Sequence, residues 1–286
     1  MKISAIDVGS NSVRLLLWAD GRTVCKKLKT TRLGEGLSLT GKITKTAIER
    51  TADAIADFQR EAVGWGAEHL YVFATAAARR AENGSEFVRF VRQRCGIDVD
   101  VISGECEAEL GLLGALEGKD GGMIDVGGAS SEVTVGKGGK IVYASSMDLG
   151  AVRLKDLCGD DRRSILEKIE NEIHVYGSVP QTDFVAVGGT ATSVVALDKK
   201  MVVYEPDAVH GSVLDIDRII GWADRLLSMT QEERIALPGM DPARADILGG
   251  GALLLAKIMQ YIGLTEIVVS EKDNLEGYVL SKLRDL

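Results

Sequence analysis

The sequence predicts an α/β chain made of two related halves, and three observations predict it. Ile6-Asp7-Val8-Gly9-Ser10-Asn11-Ser12 returns 118 residues later as Ile124-Asp125-Val126-Gly127-Gly128-Ala129-Ser130, with Ile, Asp, Val, Gly and the final Ser coinciding. Around each copy, strand-like alternation gives way to helical periodicity. Of the 286 residues, 45% are apolar and only four are proline, enough for two well-buried domains of ordinary size. Gly118, Gly121 and Gly122 mark the junction, so the domains expected are 1–118 and 119–286.

In the first half, Lys2 to Ala19 reads as two strands joined at the glycine turn, and Thr23 to Thr31 as a third strand entering the glycine-bracketed loop Arg32-Leu33-Gly34-Glu35-Gly36-Leu37. Thr44 to Val63 has Ala47, Ile48, Ala52, Ile55, Phe58 and Ala62 on one helical face, stopped by Gly64 and Gly66. His69 to Ala74 is a strand meeting Thr75, followed by an alanine-rich helix start with Arg79 and Arg80. Ser85 to Cys95 reads as a helix, Asp98 to Ile102 as a strand, and Glu105 to Leu116 as a helix with Glu105, Glu107 and Glu109 near its start. Acids there suit the helix dipole without any function.

The second half repeats the scheme. After its hairpin, Ile141 to Met147 is a strand and Ser164 to Val175 a helix. Phe184 to Val187 runs into Gly188-Gly189-Thr190, the counterpart of the strand meeting Thr75. Asp215 caps a helix to Ser228, Thr230 and Glu233 form a capping box, Ile267 to Val269 is a late strand, and a last helix follows Asn274. A helix starting at Asp241-Pro242 contains Gly249-Gly250-Gly251, which fits either a close ligand approach or helix packing.

The twin turns carry the chemistry. Glycine lets backbone N–H groups approach an anion, hydroxyl and amide side chains add donors, and an aspartate ending the incoming strand can hold a divalent cation. A single Asp-x-Gly-x-x-Ser hairpin is an ordinary turn; its duplication points to a phosphate clamp. Helix N-termini at strand ends, as after Thr75 and Gly188, also favour anions.

Composition narrows the partners. The net charge is −8; residues 1–118 hold 16 basic and 16 acidic side chains against 18 and 26 beyond, and this acidity disfavours long nucleic acid. Arg22, Lys26, Lys27, Lys29 and Arg32 occur with no acid between Gly21 and Gly34, either a positive field for a small polyanion or a solvated strand face. Cys25, Cys95, Cys106 and Cys158 have no metal or disulfide spacing, and His69, His174 and His210 are scattered. Without an apolar run of about 18 residues or a charged-then-apolar leader, the expectation is a cytoplasmic protein with no membrane partner.

These motifs resemble the exopolyphosphatase and guanosine pentaphosphate phosphohydrolase family, within the actin, sugar kinase and heat-shock chaperone ATPase group. The resemblance rests on Asp7 to Arg14, Arg32 to Leu37, Ile102-Ser103-Gly104 through Glu107-Ala108, Asp125 to Gly128, and Ser130-Ser131-Glu132. It continues through Leu149 to Leu154, Gly188-Gly189-Thr190, Val209-His210-Gly211 and Pro242 to Asp246. It implies two duplicated actin-like (ribonuclease H-like) domains with an active-site cleft between them, and hydrolysis of a terminal phosphoanhydride with Mg2+ or a similar divalent cation. By it, Glu107 would be the general base for the attacking water, and Asp7, Asp125 and Glu132 the cation ligands. Gly9, Ser10, Asn11, Ser12, Gly127, Gly128, Ala129, Ser130, Ser131, Gly188, Gly189 and Thr190 would donate to phosphates, with Arg14, Arg32, Thr75 and Arg79 as further contacts.

Departures from the family pattern bear on substrate. Ala129 replaces a usual glycine and Ser131 a threonine; Cys106 stands where a second glutamate is common, Glu109 where an arginine is common, and Leu275 where an arginine precedes Glu-Gly. The chain stops at Leu286 without the helical domains of longer relatives. The expectation is a short, two-domain phosphohydrolase acting on short-chain polyphosphate or a phosphorylated guanosine nucleotide, with a homodimer admitted. Competing readings are an ATP-dependent phosphotransferase, with Gly249 to Gly251 bordering a nucleoside, and a sensor that binds a phosphorylated ligand without hydrolysing it.

Overall fold

The computed structural model describes residues 1–284, so Asp285 and Leu286, which end the expected second domain, lie outside the described residues. The chain divides into two compact units, one of Met1–Gly114 with the segment from Asn274 onward, the other of Ala115–Asp273.

The first unit contains β1 (Lys2–Val8), β2 (Ser12–Ala19), β3 (Arg22–Thr30), α1 (Leu37–Thr40), α2 (Lys45–Trp65), β4 (His69–Ala74), α3 (Ala76–Arg80), α4 (Gly84–Cys95), β5 (Asp100–Val101) and α5 (Gly104–Leu116). Its sheet runs β3-β2-β1-β4-β5, antiparallel through β3, β2 and β1 and parallel through β1, β4 and β5. Alternation along the strands sends Ile6, Val8, Val13 and Leu15 to a core with α2 and α4. Ile3, Ala5, Leu16 and Trp18 go to the other face.

The second unit contains β6 (Gly121–Val126), β7 (Ser131–Lys137), β8 (Lys140–Met147), α6 (Ala151–Cys158), α7 (Arg162–Glu172), β9 (Phe184–Val187), α8 (Gly188–Asp198), α9 (Pro206–Val209), β10 (Val213–Asp215), α10 (Ile216–Ser228), α11 (Gln231–Ile235), α12 (Leu248–Ile262) and β11 (Glu266–Val269). Its sheet, β8-β7-β6-β9-β11-β10, repeats the first order and strand senses, with β10 added antiparallel at the edge. The duplication is therefore one of topology as well as motif. Two caps sit where the sequence puts them, Asp215 accepting from Arg218 N–H at 2.8 Å and Thr230 with Glu233 forming the reciprocal box, and Thr44 also caps α2, accepting from Ala47 N–H at 3.2 Å.

The last helix, α13 (Asn274–Leu283), departs from the expected 118/119 division, because its apolar face belongs to the first unit. Leu275, Tyr278 and Val279 are buried with Ile3, Leu16, Phe73 and Leu110, and the Tyr278 and Phe73 rings stack at 4.3 Å. Glu276, 3% exposed, pairs with Lys26 at 2.7 Å and accepts from the Thr23 hydroxyl at 3.1 Å. At Gly277 a Cβ would strike the Leu110 carbonyl of α5, so the two helices meet backbone to backbone.

Packing decides two readings that the sequence left open and corrects a third. The basic β3 stretch is not an open field: Lys26 meets Glu276, Lys27 meets Glu61, Lys29 meets Asp57 and Arg32 meets Glu35. The helix expected from Asp241-Pro242 begins only at Leu248, residues 242–247 forming turns. Gly249, Gly250 and Gly251 serve helix packing, since Cβ atoms there would meet Leu226 and Leu227, Ile165 and Leu154, and Ala151 and Thr190 respectively. Among the described residues no helix is long and apolar enough to cross a membrane.

Two stability outcomes follow. Gly277→Ala, which drives a methyl into a backbone carbonyl, should cost about 2 kcal/mol or more, whereas Gly64→Ala in α2, with open space around it, should gain up to about 1 kcal/mol; thermal melts compare them. Arg234, 1% exposed, donates to Asp160 at 3.2 Å. Burial pushes the Asp160 carboxyl up, but hydrogen bonds from Arg234 and Lys155 outweigh it and hold it below the usual carboxylate range. A carboxyl depressed in the folded state stabilises above its unfolded pKa, and that contribution is lost as pH falls through the folded value. Asp160→Asn should therefore lower the melting temperature at pH 7, with the gap to wild type closing as pH falls through the carboxylate range.

Candidate active site

In the first unit, the turn between β1 and β2 is closed by the Gly9 N–H donating to the Ser12 carbonyl at 3.0 Å. The chain after β3 folds onto it: Arg32 N–H donates to the Asn11 carbonyl at 2.8 Å and Gly34 N–H to the Ser10 carbonyl at 2.8 Å. A Cβ on Gly34 would sit 3.0 Å from the Ser10 Cβ, so glycine permits the approach. Ser10, Asn11 and Ser12 are all buried, and the Asn11 Nδ2 is buried with no hydrogen-bond partner. An amide donor left so at a turn tip is what an anion would satisfy. Arg32 has φ +48 and a side chain 30% exposed.

Asp7 and Arg14 face each other across β1 and β2, on the side covered by α5 and α13. Arg14 Nε donates to Asp7 Oδ2 at 2.9 Å, and its Nη2 reaches the same oxygen. On that face too, Arg79 Nη1 donates to the Ile102 carbonyl and to Glu107 Oε2, both at 2.9 Å. Glu107 lies in the first turn of α5, its side chain 11% exposed, with its orientation set by Arg79. Thr75 is 6% exposed at the end of β4, its N–H donating to the Val8 carbonyl at 3.2 Å.

The second unit repeats two of the backbone bonds that hold the turn. Gly127 N–H donates to the Ser130 carbonyl at 3.0 Å, and Val152 N–H, from the start of α6, to the Gly128 carbonyl at 2.9 Å, the counterparts of Gly9 to Ser12 and Gly34 to Ser10 at the 118-residue offset. Gly150 lies so close that a Cβ would be 2.6 Å from the Gly127 carbonyl oxygen. Ser130 is buried and Ala129 partly exposed at this loop. Ser131 is not part of the loop surface: strand alternation turns it to the core, where its hydroxyl is 2.9 Å from that of Tyr176. Burial pushes the Tyr176 phenol far up.

Asp125 stands opposite Glu132 on β6 and β7, and Glu132, 5% exposed, accepts from the Ser146 hydroxyl at 2.8 Å. Like charges directly opposed on neighbouring strands repel. A hard divalent cation with oxygen ligands fits this pair, although among the described residues no group of three or more His, Cys, Asp or Glu is gathered around one point. Gly188, Gly189 and Thr190 form the first turn of α8, whose leading N–H groups lack helical acceptors. Gly188 has φ +79, and a Cβ there would be 2.5 Å from Asp125 Oδ1. The Thr190 hydroxyl donates to the Val126 carbonyl at 2.9 Å, so its proton is committed to the backbone.

Sequence reasoning missed Arg244. Its guanidinium lies where a Cβ on Gly189 would be, against the start of α8, with Asp241 3.9 Å away. The turn bearing it is held by Arg234, which donates to the Ala245 carbonyl at 3.2 Å. The signal available was a lone cation three residues after an Asp-Pro turn. Ser146 was missed as well, although alternation on β8 sets it opposite Glu132.

Residues 19–286 match the model of the Ppx/GppA phosphatase family. The chain is 31% identical, over 98% of each sequence, to Exopolyphosphatase 2 of Mycobacterium tuberculosis. Among solved structures it resembles an exopolyphosphatase-like protein with a TM-score of 0.93 at 27% identity, covering 100% of this chain and 99% of that one. It also resembles the Aquifex aeolicus Ppx/GppA family member, with a TM-score of 0.81 at 28% identity, covering 100% and 98%. With the duplicated actin-like topology and the matched length, these likenesses identify the chain as a member of the Ppx/GppA phosphatase family.

Proposed function

We propose that the chain is an exopolyphosphatase-type phosphohydrolase that releases the terminal phosphate of short-chain polyphosphate or of guanosine pentaphosphate. The observation that carries this is the facing carboxylate pair of half-buried Asp125 and buried Glu132 beside the N-terminus of α8, an arrangement suited to a cation next to a helix end suited to an anion, in a chain related to Exopolyphosphatase 2. Glu107 takes a proton from water whose oxygen attacks the terminal phosphorus, the phosphoanhydride P–O bond breaks, and the shortened chain leaves with the bond's electrons. Arg79 keeps the Glu107 carboxylate oriented for that transfer. Backbone N–H groups of the two turns and of Gly188 and Gly189, with the Asn11 amide, Arg14, Arg32 and Arg244, bind and align phosphoryl oxygens. Asp125 and Glu132, with Asp7 as the third ligand expected by resemblance, would hold Mg2+ or a similar cation, which supplies charge neutralisation on the phosphoryl oxygens and the leaving phosphate when bound.

The phosphotransferase reading keeps the shared fold but loses its nucleoside border, because Gly249 to Gly251 are packed against Leu226, Ile165, Leu154 and Thr190. The sensor reading is weakened at Leu275, which is 0% exposed within an apolar cluster. Ala129 and Glu109 remain the residues that favour it.

The deciding assay is Mg2+-dependent phosphate release from tripolyphosphate, long polyphosphate and guanosine pentaphosphate. Glu107→Gln should lower the rate by about 10²-fold or more with its melting temperature retained; no release from any substrate by the wild type would overturn the hydrolase. Gly188→Ala, which pushes a methyl into the Asp125 carboxylate at a left-handed φ, should lower kcat about tenfold or more while the chain stays folded. Unchanged kcat would show that the Asp125 position is not critical.

A further inference from the structure

We infer that Arg234 is a positioning residue: it ties down the turn that carries Arg244 beside the start of α8, and so sets phosphate affinity through Arg244. The inference deepens the proposed function and rests on it for Arg244 as a phosphate contact.

Between α11 and α12 the chain passes through residues 236–247 in a series of turns. The backbone bonds along it are short-range: Leu237 N–H to the Arg234 carbonyl at 3.1 Å, Met240 to Leu237 at 3.1 Å and Arg244 to Asp241 at 2.9 Å. Bonds of this kind shape a turn without fixing where it lies, so its position depends on contacts with other elements. Two such contacts stand out. At Gly239, with φ +89, a Cβ would be 2.2 Å from the Ala196 carbonyl oxygen, so the turn leans on the backbone of α8. At the other end, Arg234 Nη1 donates to the carbonyl of buried Ala245, the residue after Arg244, at 3.2 Å.

Arg234 is itself anchored. Its Nη1 donates to Asp160 Oδ1 at 3.2 Å and its Nη2 pairs with Oδ2 at 3.0 Å, where Lys155 Nζ also donates at 2.9 Å. Asp160 follows α6, the helix whose first N–H groups, Ala151 and Val152, rest on the Gly127 and Gly128 carbonyls at 2.9 Å. One guanidinium therefore joins the helix seated on the second hairpin turn to the turn that places Arg244 against Gly189.

Stability alone does not account for an arginine here. A buried ion pair is commonly no better for stability than apolar side chains of similar volume. Arg234 also leaves its buried Nε without a hydrogen-bond partner, a further cost. An apolar side chain could fill the space, but it could not donate to the Ala245 carbonyl from a fixed point on Asp160. That donation is what the arginine supplies, and the residue next to it is Arg244.

The test reads tripolyphosphate binding by calorimetry in Mg2+ buffer, beside thermal melts, on the full chain and on Arg234→Met, Arg234→Met with Asp160→Asn, Arg244→Gln, and Arg234→Met with Arg244→Gln. Arg244→Gln should weaken tripolyphosphate about tenfold and Arg234→Met about fivefold, and the two together should bind no worse than Arg244→Gln alone, because one residue acts through the other. Arg234→Met should also lower the melting temperature by leaving Asp160 to Lys155. Adding Asp160→Asn removes the buried pair as a whole and should recover much of that loss without recovering tripolyphosphate affinity. Affinity that returns with the melting temperature would show a merely structural residue and overturn the inference. So would wild-type affinity in Arg234→Met, an equal further loss from it in the Arg244→Gln background, or an Arg244→Gln chain that binds like the wild type. If Arg234→Met alone does not fold, the variant that also carries Asp160→Asn decides: weakened binding supports the inference and wild-type binding overturns it. A chain that behaves as expected in binding yet releases no phosphate would remove the hydrolase and leave this role of Arg234 standing.

Discussion

A single backbone hydrogen bond, made twice, is what the functional groups of this phosphatase-family chain depend on. Gly9 N–H to Ser12 and Gly127 N–H to Ser130, each 3.0 Å, close two identical turns. A bond of this kind contributes only about 1 kcal/mol net to stability. Its importance is geometric, since it fixes how the strand carrying the aspartate enters the turn and how the next strand leaves. The second bond in each copy, from Gly34 to Ser10 and from Val152 to Gly128, brings a later segment onto the turn and occupies the carbonyl an anion would repel. With turn carbonyls directed into the protein, the loop is suited to present donors.

On this common backbone the side chains diverge according to the face they occupy. Val13 and Ser131 are equivalent and both point to a core, and Ser131 is tolerated there because Tyr176 supplies its hydrogen bond. Thr75 and Thr190 both follow a strand and both satisfy the carbonyl that ends the neighbouring one, Val8 by a backbone N–H and Val126 by a hydroxyl. The same backbone requirement is met by different atoms. Positions facing the chemistry have therefore been free to change charge while the turns stayed constant.

Much of this was legible in the sequence, and the reasons differ by element. The duplication was visible because Asp, Gly and Ser at fixed offsets are needed for the turn itself, and the caps at Asp215 and Thr230 were visible because they act within four residues of their partners. Long-range pairing was not. The cations of β3 could be read as a positive field or as a solvated face, since Asp57 and Glu61 on α2 and Glu276 on α13 are far away in sequence. The return of α13 to the first unit was hidden for the same reason, its apolar face reading equally well against either sheet. Arg244 escaped notice because its place beside Gly189 is created by a turn, which has no periodicity to read. Ser131 was assigned to the loop by motif membership, where strand alternation, already implied by Val133 and Val135, would have turned it inward.

Close approach at glycine is how remote segments are brought to bear on the candidate site. Gly150 lets the start of α6 lie on the second turn, Gly188 lets α8 begin against the Asp125 carboxylate, and Gly189 leaves room for the Arg244 guanidinium. Gly277 does the same at a distance, setting α13 against the backbone of α5, the helix whose first turn carries Glu107. In each case the atom that a methyl would strike is a backbone atom, a carboxylate or a guanidinium, and several cannot move without moving the site. These glycines are therefore constrained by contact, and only Gly188 among the four is also constrained by a left-handed φ. An alanine at any of them would displace a backbone or functional group first and reduce packing second, so the glycines of this fold belong to the site's geometry as much as the charged residues do.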